Sequence, residues 1–164
     1  MATLVTALSS IHDLKSFNCG NNELNTYLQT IAGQQQRKYI SKTYVLVDED
    51  NPTLVLGFYT LANRKMVLAK TLPATLKKRL PAEIPAFTLA RLAIDVRHQK
   101  KEHGEYLLLH AMNRAARVAD EIGGFALFVD AMDAAAAGFY RKYGYVPLPD
   151  NPLILCMPFS DMPK

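Results

Sequence analysis

The residues with the clearest chemical potential lie in the stretch LARLAIDVRHQKKEHGEYLLLHAMNRAARVA, Leu89 to Ala119. A short apolar run (Leu89–Ile94) leads into a polar, basic turn (Asp95–His103), and Gly104 opens a long amphipathic segment. That order is strand, turn, helix. The first N–H groups of a helix meet no carbonyl of their own helix, and the aligned peptide dipoles make that end partly positive. Such an end binds phosphate or pyrophosphate. Arg97, Lys100 and Lys101 lie in the turn, so an anion cradle is expected there.

Other chemistry is sparse. No Ser–His or Cys–His arrangement offers a covalent nucleophile. His98 and His103 belong to the turn, facing solvent or phosphate, while His12 and His110 lack a partner cluster and are read as structural. No metal is implied. Cys19 and Cys156 have neither metal-ligand nor CxxC spacing and are read as small buried hydrophobes.

The elements that must position the turn can be read from periodicity. Thr3–Ala7 starts as a strand. Leu24, Tyr27, Leu28, Ile31 and Ala32 fall at helical spacing, predicting a helix over Leu24–Gln35 with Asn21 or Asn22 as its cap. Thr43–Val47 and Leu54–Ala62, separated by the Asp48–Pro52 turn cluster, predict a hairpin that Met66–Leu68 extends. Pro73, Pro81 and Pro85 predict a loop with one brief basic helix, Leu76–Leu80. Phe87–Ile94 is the central strand. In the helix from Gly104, Leu108, Met112, Ala115, Ala119 and Ile122 form one stripe, which Gly123–Gly124 stops. Phe125–Val129 is a strand, Asp133–Tyr143 a helix capped by Asp133 and ended by Gly144, and Leu153–Met157 the last strand. The order predicts an α/β (α+β) single domain, residues 1–164, with a mixed sheet.

Composition agrees with a globular chain. The 164 residues suffice for a core, and no apolar run approaches the roughly 20 residues of a membrane span. The opening MATLVTALSSIHD lacks a basic segment, so it is not read as a secretory signal, and a cytoplasmic location with no membrane partner is expected. The net charge of +4 is unevenly spread. Between Arg37 and Lys101 there are 13 Lys or Arg against 5 Asp or Glu, which makes a polyanion such as nucleic acid the partner to test.

Taken with GFYRKYGYVP near the C-terminus, these pieces make the chain resemble the GNAT N-acetyltransferase superfamily. The superfamily's pyrophosphate motif falls on Gln99-Lys100-Lys101-Glu102-His103-Gly104. Its closing aromatic pair and Gly-aromatic turn fall on Phe139-Tyr140 and Gly144-Tyr145. Phe17-Asn18-Cys19-Gly20, Leu24, Tyr27-Leu28, the Gln34–Gln36 run, Leu56–Ala62 and Leu89–Asp95 extend the likeness to the GNAT toxins of bacterial toxin–antitoxin modules. One position departs from the motif, Glu102, where the family has its first glycine.

The resemblance implies a GNAT fold, with a mixed, mostly antiparallel central sheet flanked by helices. It implies acetyl-CoA as cosubstrate and acetylation of the α-amine of aminoacyl-tRNA. Tyr140 would be the general acid. Leu92, Ala93 and Ile94 would offer backbone hydrogen bonds, and Gln99, Lys100, Lys101, Glu102, His103, Gly104 and Glu105 would hold the cofactor. Phe139 and Tyr143, which also fit as core aromatics, are assigned with them. Candidate tRNA contacts are Arg37, Lys38, Arg64, Lys65, Lys77, Lys78, Arg79 and Arg91, the Lys77–Arg79 cluster being placed on the short helix between prolines. Expected partners are a ribbon-helix-helix antitoxin, operator DNA through that antitoxin, and a second copy of the chain. Two other readings stay open: acetylation of a small amine or protein N-terminus, and a catalytically weak, antitoxin-binding co-repressor, for which Glu102 is the support.

Overall fold

The computed structural model describes residues 2–163. Seven strands form one sheet in the order β1-β2-β3-β4-β5-β7-β6: β1 Thr3–Ala7, β2 Ser41–Asp48, β3 Asn51–Leu68, β4 Glu83–Ile94, β5 Ala126–Asp130, β6 Val146–Leu148 and β7 Asn151–Pro158. The β1/β2, β2/β3, β5/β7 and β6/β7 pairs are antiparallel, and β4 runs parallel to β5. The helices are α1 Asn22–Thr26, α2 Ala32–Arg37, α3 His103–Ile122 and α4 Ala134–Lys142. Strands β3 and β4 and helix α3 each pass through both of two compact units, residues 2–62 with Ala90–Ala111 and Asn63–Leu89 with 112–163.

In the first unit Leu28, Ala32, Val45, Val47, Val55, Phe58 and Ala93 make a core, with Phe17 set edge-on against Phe58 at 5.6 Å. Asn21 caps α1 through Leu24 N–H, as its side-chain type allows. The expected single helix is instead interrupted by a π turn, Tyr27–Ile31, in which the Ala32 N–H reaches back to the Tyr27 carbonyl. The wider turn shifts the register, so Ile31 is exposed although its spacing predicted burial. Gly57 explains itself by crowding. A Cβ there would lie 2.6 Å from Ile94 Cδ1 and 2.9 Å from the Ala93 carbonyl oxygen.

In the second unit Leu72, Ile84, Ala86, Ala126, Phe128 and Cys156 form the core. Residues 73–80 hold turns and no helix, with Leu76 N–H on the Pro73 carbonyl and Arg79 at φ +61°. Leu76 and Leu80 still pack on the core and leave Lys77, Lys78 and Arg79 exposed. The brief helix expected there is therefore absent, because proline on both sides leaves too few residues to propagate one. Along α3, Leu107, Leu108, Ala111, Met112 and Ala115 are buried, but Ile122 is 74% exposed at its last residue. The predicted stripe is thus broader at its start and shorter at its end.

Replacing Gly57 by Ala forces Ile94 and the β4 backbone aside. Urea denaturation should show a loss of about 1–3 kcal/mol. A midpoint equal to that of the native protein would contradict this packing.

Candidate functional site

The turn after β4 is shaped by a buried carboxylate. Asp95 has no exposed side chain; its Oδ1 accepts from Arg97 N and Nε at 2.9 Å, and its Oδ2 from Arg97 Nη2 at 3.0 Å and Asn18 N at 3.1 Å. The Val96 N–H returns a bond to the Asn18 carbonyl at 2.8 Å. Burial alone would push the Asp95 carboxyl up, but the Arg97 and backbone donors outweigh it and hold the group at about 2. Arg97 is thereby committed to Asp95 and also reaches the Ser16 carbonyl, so it shapes the turn instead of offering a free charge to phosphate.

Gln99 is exposed, but its amide ties back to the backbone. Its Nε2 donates to the Ile94 carbonyl at 2.9 Å and the Cys19 carbonyl at 3.1 Å. The block Phe17-Asn18-Cys19-Gly20 thus clamps the turn, a role that the residue types did not disclose. Next come Lys100 and Glu102, both in the left-handed region at φ +66° and +63°. This is the reason glycine suits position 102: a side chain there costs about 1 kcal/mol. Glu102 accepts that conformation with its side chain exposed.

Helix α3 starts at His103, and its first bond runs from Tyr106 N–H to the Glu102 carbonyl at 3.1 Å. Among the described residues nothing accepts from the N–H groups of His103, Gly104 or Glu105. Exposed Lys100 and Lys101 stand beside these open donors, at the place where the sequence predicts an anion cradle. His103 senses it: burial, then the nearby His98 and Lys101, push its pKa below the usual histidine value.

The second unit holds the aromatic cluster. Asp133 caps α4 through Ala136 N–H at 2.8 Å. The helix ends in a Schellman motif, with Tyr145 N–H on the Tyr140 carbonyl, Gly144 N–H on the Arg141 carbonyl, and Gly144 at φ +96°. Tyr140 and Tyr145 stack edge to face at 5.7 Å across it, and Phe139 touches both Tyr140 and Tyr143 at 5.2 Å. Burial pushes the Tyr140 phenol up to about 12. Tyr145 is 2% exposed, and its buried hydroxyl has no partner among the described residues.

The basic candidates separate into held and open side chains. Arg64 makes a two-pronged ion pair with Asp130 at 2.9 and 3.0 Å, bonds Thr88, and lies over Phe128. Arg91 lies over the Tyr27 ring at 4.4 Å and donates to the Ala90 carbonyl. By contrast Arg37, Lys38, Lys65, Lys77, Lys78 and Arg79 are exposed and make no ion pair among the described residues. Both cysteines are free thiols, and burial raises Cys156 to about 11.

The depressed Asp95 group gives a directional pH dependence. Its stabilisation of about 2 kcal/mol is present above pH ~4 and is lost as pH falls through about 2. Asp95→Asn should lose that amount at neutral pH and show a flatter stability curve between pH 4 and 2. Parallel curves for the two proteins in that window would place the acid sensitivity elsewhere.

No protein-family model matches the chain. It is similar to the tRNA-acetylating toxin of Mycobacterium tuberculosis, at 30% identity over 154 residues that cover 94% of this chain and 90% of that protein. AtaT complexed with acetyl-methionyl-tRNAfMet has the same fold, with a TM-score of 0.90 and 33% identity over 97% of this chain and 96% of that one. A mutant AtaT toxin bound to acetyl-CoA and the C-terminus of the antitoxin AtaR matches with a TM-score of 0.80 and 32% identity, over 96% of this chain and 94% of that one. Sequence and fold agree: the chain belongs to the tRNA-acetylating toxins of the GNAT acetyltransferase superfamily.

Proposed function

We propose that this chain transfers the acetyl group of acetyl-CoA to the α-amine of aminoacyl-tRNA and so inhibits translation. The observation that supports this most is the cradle at the start of α3, where open N–H groups meet Lys100 and Lys101. Acetyl-CoA supplies an activated acetyl thioester and a pyrophosphate by which it is held. Backbone N–H groups from His103 to Glu105 bind that pyrophosphate, and Gln99 keeps the turn in shape. Glu102 fits this role, since its backbone already has the conformation a glycine would supply and its exposed carboxylate stays hydrated. The β4–β5 ladder covers only Phe87–Leu89, and the β4 backbone at Leu92, Ala93 and Ile94, beyond it, serves the acetyl and pantetheine groups.

An α-amine with a pKa near 8 is substantially neutral under physiological conditions, so it attacks directly without a strong base. Tyr140 O–H would donate to the sulfur as the C–S bond breaks, and the proton shed by the acylated amine would return to the phenolate, restoring Tyr140. A phenol is protonated throughout the neutral range and burial widens that margin, while the same apolar setting raises the basicity of a thiolate held beside it. Phe139 and Tyr143 wall that setting. Arg37, Lys38, Lys77, Lys78 and Arg79 contact phosphates, with Arg91 offered from its seat on Tyr27.

The partner of the toxin is a ribbon-helix-helix antitoxin, through which operator DNA is reached, and the toxin acts in the cytoplasm as a homodimer. An AtaT–AtaR complex bound to DNA supports the first part of that assembly.

Mass spectrometry of tRNA charged with each amino acid, after incubation with protein and acetyl-CoA, should find acetyl groups on the α-amine. Acetylation of peptides alone would remove the proposal. Tyr140→Phe should bind CoA normally and lose about 100-fold or more in turnover. Tyr145→Phe should keep turnover and gain roughly 1 kcal/mol of stability, since it deletes a buried hydroxyl without a partner. Near-native turnover in Tyr140→Phe would overturn the assignment.

A further inference from the structure

Helix α2 ends as α4 does, in a Schellman motif, but with a different residue at its turning point. Ile40 N–H donates to the Gln35 carbonyl at 2.9 Å and Tyr39 N–H to the Gln36 carbonyl at 3.1 Å. The residue between helix and strand must then be left-handed, and glycine serves there in many helices. Gly144 fills that place after α4, whereas after α2 it is Tyr39, at φ +61°.

Tyr39 is also 96% exposed, and its side chain makes no hydrogen bond, ring contact or cation contact among the described residues. The fold therefore gains nothing from this ring: it strains the backbone and stands in water. Its surroundings indicate what would gain. Arg37, Lys38 and Lys42 are exposed around it, Ile40 is 56% exposed, and the sequence holds no Asp or Glu between Glu23 and Asp48. An open aromatic face among unopposed cations suits an unpaired nucleotide, whose base stacks while its phosphates meet the charges. A protein surface would be expected to answer such a strip with carboxylates.

We propose that Tyr39 stacks on an unpaired base of the tRNA, with Arg37 and Lys38 on the adjoining phosphates. The inference rests on aminoacyl-tRNA being the substrate. Neither ring nor strain is required for the chemistry at Tyr140, so loss of Tyr39 acts on RNA affinity and not on CoA binding.

The test uses the full chain and fluorescently labelled, deacylated bulk tRNA, titrated at several salt concentrations beside thermal melts. Tyr39→Gly should weaken tRNA binding about tenfold. The salt slope should not change, because no phosphate contact is removed. The same variant should raise Tm by about 2–4 °C through relief of the left-handed side chain. Tyr39→Phe should bind within about twofold of the native protein. Unchanged affinity in Tyr39→Gly would overturn the proposal, as would a lowered Tm, which would give the ring a structural role. Equal losses in the glycine and phenylalanine variants would assign the effect to the hydroxyl and reject stacking. Altered self-association with intact tRNA affinity would make Tyr39 a protein contact, again against the proposal. If the native protein binds no tRNA, the proposed function itself fails; native binding with unaffected variants rejects Tyr39 alone.

Discussion

The buried carboxylate of Asp95 is the interaction on which the first unit's site depends. It sits at the point where β4 stops, and it satisfies the N–H groups of Asn18 and Arg97 at once. A carboxylate removed from water is tolerable only with donors of this number and quality. The geometry that meets this demand also joins the loop at Ser16–Cys19 to the turn at Asp95–Gln99. Once joined, the turn delivers the chain to α3 with its first N–H groups open. The open helix start, which the proposed function assigns to a pyrophosphate, thus follows from the way one acid is neutralised inside the protein.

In the second unit, the comparable device is a helix terminus. Gly144 lets α4 close with the Tyr145 N–H on the Tyr140 carbonyl, and the two rings then stack across the closure. Tyr140 is therefore held by its own backbone carbonyl as well as by its ring. Burial sets its acidity, raising the phenol to about 12, so that it keeps its proton above pH ~10, where a free tyrosine ionises. Positioning and proton retention come from the same packing.

Strand and helix identities were legible because the hydrophobic period is strong from Thr43 to Ala62 and from Phe87 to Ala115. The turn at Gln99–Gly104 was legible because a strand, basic residues and a helix follow one another without a break. Other features depended on contacts between distant residues. The π turn at Tyr27–Ile31 changes the helical register without changing composition, so Ile31 was misplaced. Arg97 and Arg64 resemble free cations in sequence and are held by Asp95 and Asp130 in the fold. Gln99, expected at the cofactor, also ties the turn together through the Ile94 and Cys19 carbonyls, a contact that its residue type does not announce. Glu102 stood out as a departure from glycine, but only its positive φ explains what the glycine is for.

Whether the Asp95-braced turn cradles a pyrophosphate is tested by titrating His103 by NMR with and without CoA. In the free protein burial and the neighbouring His98 and Lys101 hold its pKa below the usual value. A pyrophosphate bound at the start of α3 adds negative charge beside it, which favours the protonated ring. Saturating CoA should raise the His103 pKa, and pantetheine, which carries no phosphate, should not. An unchanged or lower value with CoA fully bound would contradict the cradle.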